Sequence, residues 1–476
     1  MTLSISFLLG SPDISGGTYV IFEHATRLQN RGHRITIITE SSIPPERYSW
    51  HPEAEKLTWL SLEDTATETF DIVIATWWKS PFLLHRLRGK HYIYFVQSIE
   101  SRFFPEETPN HHDKRDLALW QHYCESTYSC NIPVITEAGW IQDYLRKNYN
   151  RTSYLVRNGI RKDLYNTRAE SIAPIEEGRL RVLIEGPVDV DFKNVPCSIK
   201  LAEKAGADEI WLLTSSDVSE FPGVDKIFSR IPIHETPSIY RSCDVLVKLS
   251  YIEGMFGPPL EMFHCGGTAI VYDVTGHDEY IIDGENSYVV PKDHEEMVVR
   301  LLQKLKRNVD ELQRLKQGAI KTAEQWVDWE KSSEQFSQAL MAVIEGPGTS
   351  RTYLRNWTKR VEEAHRTRFS DKTLQQFQKR EQGEDGFNFL QVYTWSEGEG
   401  LENGSFQWTH CPSSVQAQVT IETEIRDFPF WIRIDPGVRI GIIEIFSITI
   451  TLVENSTLLY NCSTPSSSTS SLLVEH

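Results

Sequence analysis

One stretch constrains this chain more than any other: Asp244-Val-Leu-Val-Lys-Leu-Ser-Tyr-Ile-Glu253-Gly-Met-Phe-Gly257-Pro-Pro-Leu-Glu261. Val245 to Leu249 predict a buried strand, the glycines a turn, and Pro258-Pro259 the opening of a helix, where a missing N–H is tolerated. Two glutamates flank the turn with seven residues between them, Glu253 in the loop and Glu261 about one turn into the helix. Backbone amides bare of side chains at a helix N-terminus suit an anionic group. Carboxylates beside a phosphate are electrostatically awkward and are better employed gripping hydroxyls. Phosphate on the helix and hydroxyls on the carboxylates together describe a nucleotide-sugar.

The same run resembles the glutamate-x7-glutamate signature of retaining family 4 glycosyltransferases. The resemblance continues through Cys265-Gly-Gly-Thr-Ala-Ile-Val-Tyr-Asp-Val-Thr-Gly276-His-Asp-Glu279-Tyr and Asp283-Gly-Glu-Asn-Ser-Tyr-Val-Val. It implies an α/β chain of GT-B fold, two Rossmann-like domains facing across a cleft. The Glu-Gly-Met-Phe-Gly-Pro-Pro-Leu-Glu version is similar to the branch associated with bacterial cell-surface polysaccharides, rhamnosyltransferases included. By the same resemblance Glu253 contacts the transferred sugar and Glu261 the ribose hydroxyls. The amides of Gly254, Met255, Phe256 and Gly257 then face sugar and phosphate. Taken alone, two glutamates around a turn are usually solvated or cap a helix.

At 476 residues and 54.9 kDa the chain has room for two or three domains with real cores. A net charge of -17 argues against nucleic acid and against broad adhesion to anionic lipid, although a local basic patch is compatible with it. The seven cysteines are scattered without a C-x-x-C, which fits reduced thiols rather than disulfides or zinc. The N-terminal segment lacks a basic n-region, and no apolar run approaches the roughly 20 residues a membrane helix needs. The expectation is a cytoplasmic protein, with peripheral contact to the inner face of the membrane left open.

Residues 1–165 predict the first Rossmann-like domain, the acceptor domain in the family. Ile5–Leu9, Ile35–Thr39, Ile72–Thr76, Tyr92–Val96, Val134–Thr136 and Tyr154–Val156 are short apolar runs separated by helical patterns, the mark of a parallel sheet covered on both faces. Gly16-Gly17 opens the first helix and reads either as a tight connection or as a close approach to ligand. Arg31-Gly-His-Arg-Ile-Thr-Ile-Ile-Thr resembles the family's second strand and favours the ligand reading. Gln97 ends its strand where many relatives carry histidine; it orients a hydroxyl but is no general base. Gln97 and Arg102 are the acceptor-side candidates, while His111 and His112 read as solvated loop residues. Asn158-Gly159-Ile160 resembles the interdomain hinge.

Residues 166–325 predict the donor domain. Arg181 to Glu185 reads as its first strand, and Lys193 matches a family lysine that contacts the diphosphate. Pro187 stands where relatives carry a second cation. Lys248 interrupts an apolar strand, where an unpaired ammonium is costly. It reads either as a strand-end lysine snorkelling to water or as the replacement for the cation lost at Pro187. Asp189-Val-Asp191 imitates a metal-binding D-x-D but reads as a solvated loop, so no metal is expected. Gly276 and His277 line the same cleft or, for His277, merely cap a helix.

Residues 326–345, with Trp326 and Trp329, resemble the helix that crosses back to the first domain. Residues 346–404 read as a linker and a charged helix, 405–460 as a small all-β domain, and 461–476 as a disordered tail. Val415–Ile421, Phe430–Ile434, Gly441–Phe446 and Ser447–Leu452 carry the strand pattern there. Trp408 and Trp431 read as core packing ahead of sugar stacking. The resulting expectation is a retaining, metal-independent glycosyltransferase with Glu253, Lys193 and Lys248 at the chemistry. It needs no cofactor beyond a nucleoside-diphosphate sugar, dTDP-rhamnose and GDP-mannose being candidates, and acts on a cell-surface glycan or lipid-linked oligosaccharide. The competing expectations are a glucosyl-donor synthase and an inactive sugar-binding or scaffold protein.

Overall fold

A computed structural model describes residues 2–103, 114–176 and 178–368 and, from residue 388 on, a set of strands. The chain divides into two compact units: Met1–Phe103 with Trp120–Glu362, and Phe104–Leu119 with Glu363–His476. The first unit contains two parallel sheets, which we call lobes. The elements of the first lobe are β1 (Ser4–Leu8), α1 (Gly16–Asn30), β2 (Arg34–Thr39), β3 (Thr58–Ser61), β4 (Phe70–Ala75), α2 (Ser80–Leu83), β5 (Gly89–Val96), the part of α3 (Lys114–Thr127) from Trp120 on, β6 (Val134–Thr136), α4 (Gly139–Tyr149) and β7 (Tyr154–Leu155). Its strand order is β3-β2-β1-β4-β5-β6-β7. Ile5 lies between Ile35 and Ile72, so the apolar runs align in register. Both faces of the sheet are covered, which is why these strands read as continuous rather than alternating hydrophobic text. The edge strand β3 escaped the sequence reading because Thr-Trp-Leu-Ser is short and partly exposed.

The second lobe contains β8 (Arg181–Glu185), α5 (Val195–Lys204), β9 (Glu209–Thr214), β10 (Lys226–Ser229), α6 (Thr236–Arg241), β11 (Val245–Lys248), α7 (Gly257–His264), β12 (Thr268–Tyr272), β13 (Tyr288–Val290), α8 (Glu295–Arg307) and α9 (Val309–Gln325). The strand order is β10-β9-β8-β11-β12-β13, again all parallel. Each sheet therefore reverses its winding once, between β1 and β4 in the first lobe and between β8 and β11 in the second. Loops leaving the C-terminal ends of strands at such a reversal diverge and open a crevice, the usual ligand position in doubly wound sheets.

The chain crosses between lobes twice, at Asn158–Ile160 and at Trp326–Trp329, and the crossings meet. Ile160 forms a bridge with Asp328, and Trp326 Nε1 donates to Asn158 O at 2.9 Å. From there α10 (Trp329–Glu345) returns to the first lobe, with Trp329, Phe336, Leu340 and Val343 on one stripe against α1 and β1. Phe336 stacks on Phe7 and on His24, a fully buried imidazole held neutral by burial, which pushes its pKa down to about 3. The helix α11 (Arg351–Arg368) buries Leu354, Trp357 and Val361 against the other face of the same sheet.

In the second unit, β14 (Asn388–Ser396), β15 (Ser405–Cys411), β16 (Phe430–Pro436), β17 (Ile448–Leu452), β18 (Thr457–Cys462) and β19 (Ser471–Val474) form antiparallel sheets of order β15-β14-β16-β19 and β17-β18. Two corrections to the sequence reading follow. β14 lies within residues 346–404, which read as linker and charged helix, and β19 lies within residues 461–476, which read as a disordered tail. Serine and threonine dominate the tail and hide the short run Ser471-Leu-Leu-Val, which pairs with β16. Trp408 sits on β15 and Trp431 on β16. Val415–Ile421, Gly441–Phe446, His111 and His112 lie outside the described residues. Among the described residues no helix is long and apolar enough to cross a membrane.

Gly159 sits where the two crossings touch, and a Cβ there would run into the backbone of Asp328 and Trp329. Gly159→Ala is expected to cost roughly 1–3 kcal/mol, read as a lower midpoint in urea unfolding; an unchanged midpoint would mean that the crossings part freely.

Candidate functional site

The loops at the two winding reversals bring together most of the residues singled out in the sequence. Lys193 closes a single 3-10 turn after β8, Lys248 is the last residue of β11, and Glu253 follows in the loop before α7. Lys193 Nζ lies 2.9 Å from both carboxylate oxygens of Glu253. Lys248 Nζ lies 3.7 Å from Glu253 Oε1 and 2.6 Å from Glu185 Oε2, and also donates to Glu185 O at 3.1 Å. Glu253 and Lys248 are 7% and 2% exposed. The snorkelling reading of Lys248 is therefore wrong: its ammonium is dry and bonded between two acids.

Burial alone would raise the Glu253 pKa, but the Lys193 and Lys248 ammoniums outweigh it and hold the carboxyl below its ordinary value. Burial likewise works against the charged form of Lys248, and Glu185 and Glu253 reverse that effect, so its pKa is raised. Glu261, half-buried on α7, behaves differently. Desolvation dominates there and pushes its pKa up to about 7, with Tyr240 and Lys248 pulling down and Glu185 pushing up. One acid of the pair is firmly ionised and the other titrates near neutrality.

The anion-binding role expected of the 254–257 amides needs correction. Met255 N donates to Glu137 Oε1 at 3.0 Å, and Gly257 N donates to Met255 O at 3.0 Å. Pro258 and Pro259 have no N–H to offer, so the first turn of α7 is poor in free donors. Phe256 is wholly buried in the core of its lobe, and its carbonyl accepts from Tyr280. The positive charge of this edge resides mainly in the lysines.

Glycines mark where the lobes approach each other. A Cβ on Gly254 would strike the Gln97 carbonyl, and one on Gly276, at φ +88°, would lie 2.7 Å from Gly254 O. Gly254 O accepts from Trp140 Nε1 at 2.8 Å. Gly16 and Gly17 begin α1, capped by Ser15. Nothing packs where a Gly16 Cβ would be, and a Gly17 Cβ would lie 3.5 Å from the Gln97 amide, so packing does not demand either glycine. Gln97 Oε1 is buried without a protein partner, beside that loop. Arg102 lies over the Trp140 ring, 5.4 Å from its centroid. His277 Nδ1 donates to Val274 O at 2.6 Å, which ties the ring to its own turn rather than to the cleft.

Three residues at this seam were missed. Glu185 is the partner of Lys248. Glu137, directly after β6, is buried between the lobes and accepts from Asn158 Nδ2 at 2.9 Å as well as from Met255. Glu279 reaches from the second lobe to the amide of Gly139, the first residue of α4, and to Arg157 Nε at 2.9 Å. That contact supplies a cap which Ala138, at the N-cap position, cannot. Glu137 and Glu185 share one legible signal, an acid directly at the C-terminal end of a parallel strand. Asp189 and Asp191 gather no third ligand: among the described residues no group of three or more His, Cys, Asp or Glu could hold a metal.

Residues 226–322, which span α7 and its neighbours, match the family model for glycosyl transferases group 1. Solved structures supply the fold. Sucrose-phosphate synthase from Thermosynechococcus elongatus is similar over 72% of this chain and 99% of its own, at 16% identity and TM-score 0.56. The Anabaena protein HepE in complex with UDP and glucose is similar over 71% and 100%, at 12% identity and TM-score 0.57. The fold is GT-B. WaaG, a glycosyltransferase involved in lipopolysaccharide biosynthesis, shares it over 69% of this chain and 98% of its own, at 16% identity and TM-score 0.51. No curated protein matches the sequence. In the GT-B frame two lobes face across a crevice, and Lys193, Lys248, Glu253 and Glu261 lie at or beyond the C-terminal ends of β8 and β11 in the second lobe.

A raised carboxyl pKa stabilises the fold at low pH, and that contribution is lost as pH climbs through the folded value. Glu261→Gln does not titrate, so its Tm should rise relative to the unsubstituted chain between pH 5 and pH 8. The gain should correspond to about 1–2 kcal/mol once solvent screening is allowed for. A difference in Tm that stays flat across this range would contradict the environment assigned to Glu261.

Proposed function

We propose that this chain moves a sugar from a nucleoside-diphosphate sugar to a glycan or lipid-linked acceptor, with retention at the anomeric carbon and without a metal ion. The observation that carries the reading is the cluster at the winding reversal of the second lobe, buried Lys248 and Glu253 flanked by the part-exposed Lys193 and Glu185. Two fixed ammoniums at that edge suit the charge that builds on a departing diphosphate. Preorganised charge in a site that excludes water stabilises such a transition state far better than the same charge in solvent. A divalent ion does this work in other transferases. Here Lys248 offsets the cation missing at Pro187, which argues for activity and against the inactive alternative.

Glu253, ionised, is suited to accept hydrogen bonds from hydroxyls of the transferred sugar. Glu261, with a pKa of about 7, can either accept from or donate to a ribose hydroxyl. Gln97 offers no basic atom at the acceptor edge. A front-face route, in which the leaving phosphate oxygen takes the acceptor's proton, requires none. HepE binds UDP-glucose, so a uridine nucleotide joins dTDP-rhamnose and GDP-mannose among the donors to try.

A thermal-shift panel of UDP, GDP and dTDP tests the reading first, since ligand at about 100 Kd adds roughly 2.7 kcal/mol of apparent stability. At least one nucleotide should raise Tm; silence from all three would favour the inactive alternative. With a donor in hand, Glu261→Ala should chiefly weaken donor binding and Glu253→Ala should chiefly lower turnover. Lys248→Ala should lower kcat by about 10²–10³, as loss of a transition-state contact does. Wild-type kinetics in all three variants would remove the site assignment.

A further inference from the structure

The second-lobe loop that carries Glu253 is tied to the hinge through the first lobe. The order is Trp326 Nε1 to Asn158 O at 2.9 Å, Asn158 Nδ2 to Glu137 Oε2 at 2.9 Å, and Met255 N to Glu137 Oε1 at 3.0 Å. Trp326 and Asn158 belong to the two interlobe crossings, so the connection begins where the lobes would pivot and ends one peptide from Gly254. Trp140, on the helix that Glu137 precedes, holds Gly254 O.

We propose that Glu137 is a positioning residue that couples the hinge to the Glu253 loop, fixing the Met255 peptide only while the crossings hold their closed arrangement. This rests on the reading that the Glu253 loop handles the transferred sugar. Three features of Glu137 favour coupling over simple core packing. The carboxylate is 5% exposed, and among the described residues no cation pairs with it. A buried acid of this kind is an expensive way to fill space, and an apolar side chain would serve packing better. Its two donors come from separate parts of the machinery, the hinge and the donor loop, rather than from its own element. Desolvation, aided by the nearby Glu253 and Glu279 charges, pushes its pKa up to about 7 against the pull of the two donors.

Hydrogen exchange on the full chain tests the coupling without any donor. In Glu137→Ala the Met255 amide should exchange roughly tenfold faster, while amides of β8 and β11 keep their protection. Glu137→Gln, the milder variant, should show the same pattern to a smaller degree. Trp326 bonds neither Glu137 nor Met255, and Trp326→Phe keeps a ring against Tyr280 while removing the Nε1 donor to Asn158 O, so it should also speed Met255, by about threefold. If Met255 is unchanged in Trp326→Phe, or if all amides accelerate together, Glu137 is a local or global prop and the coupling is refuted. In a transferase assay Glu137→Ala should lower kcat at least tenfold, with nucleotide affinity within threefold; an equal loss in both would also refute it. A nucleotide panel that fails with the wild-type chain defeats the transferase reading alone and leaves the exchange pattern to stand or fall separately.

Discussion

A dry carboxylate between two ammoniums governs the second-lobe wall. Glu253 is almost completely withdrawn from water, and burial by itself would raise its pKa. Lys193 and Lys248 keep it ionised, and Glu185 in turn keeps Lys248 charged. Breaking such a buried pair by removing one member leaves an uncompensated charge, typically at a cost of about 3–5 kcal/mol. The four residues come from the ends of β8 and β11 and the loops after them. Any shift in how those adjacent strands pair would therefore disturb stability and electrostatics together. The parallel register of Val245 to Val247 against Val182 to Ile184 is what sets the spacing of the charges.

Much of this was legible in the sequence, for identifiable reasons. Fully buried parallel strands appear as continuous apolar runs, so β1, β2, β4, β5 and β11 could be read directly. Glu253 and Glu261 stood out because strand, turn and helix are contiguous in the chain. Lys248 stood out because a charge interrupts an apolar run, but its partner could not be named: Glu185 lies 63 positions away on the neighbouring strand. Glu137 and Glu279 were invisible for the same reason, since each acts on the opposite lobe. At the C-terminal end, β14 and β19 were obscured where glycine, serine and threonine outweigh short apolar segments.

The glycines show a subtler limit. Gly254 and Gly276 could be recognised as turn residues within a motif, and chain flexibility would be the ordinary explanation. The fold gives a different one: backbone from the other lobe, or from the neighbouring loop, occupies the space a side chain would need. At Gly159 the obstruction is the second crossing. Sequence reports that such a position is small; only the fold reports what stands against it. The amides of residues 254–257 teach the converse. Their bareness suggested donors waiting for an anion, yet two are engaged within the protein and two positions of the following turn are prolines.

The beginning of α4 has a consequence for motion. Ala138 leaves the first turn of that helix without an acceptor of its own, and Glu279, rooted in the other lobe, supplies it. A swing that drew the lobes apart would withdraw that acceptor and expose Gly139 and its neighbours to fraying, at about 1 kcal/mol for a lost cap. The first turn of α4 is therefore complete only in the arrangement seen here, and its capping works against separation of the lobes from within the first lobe itself.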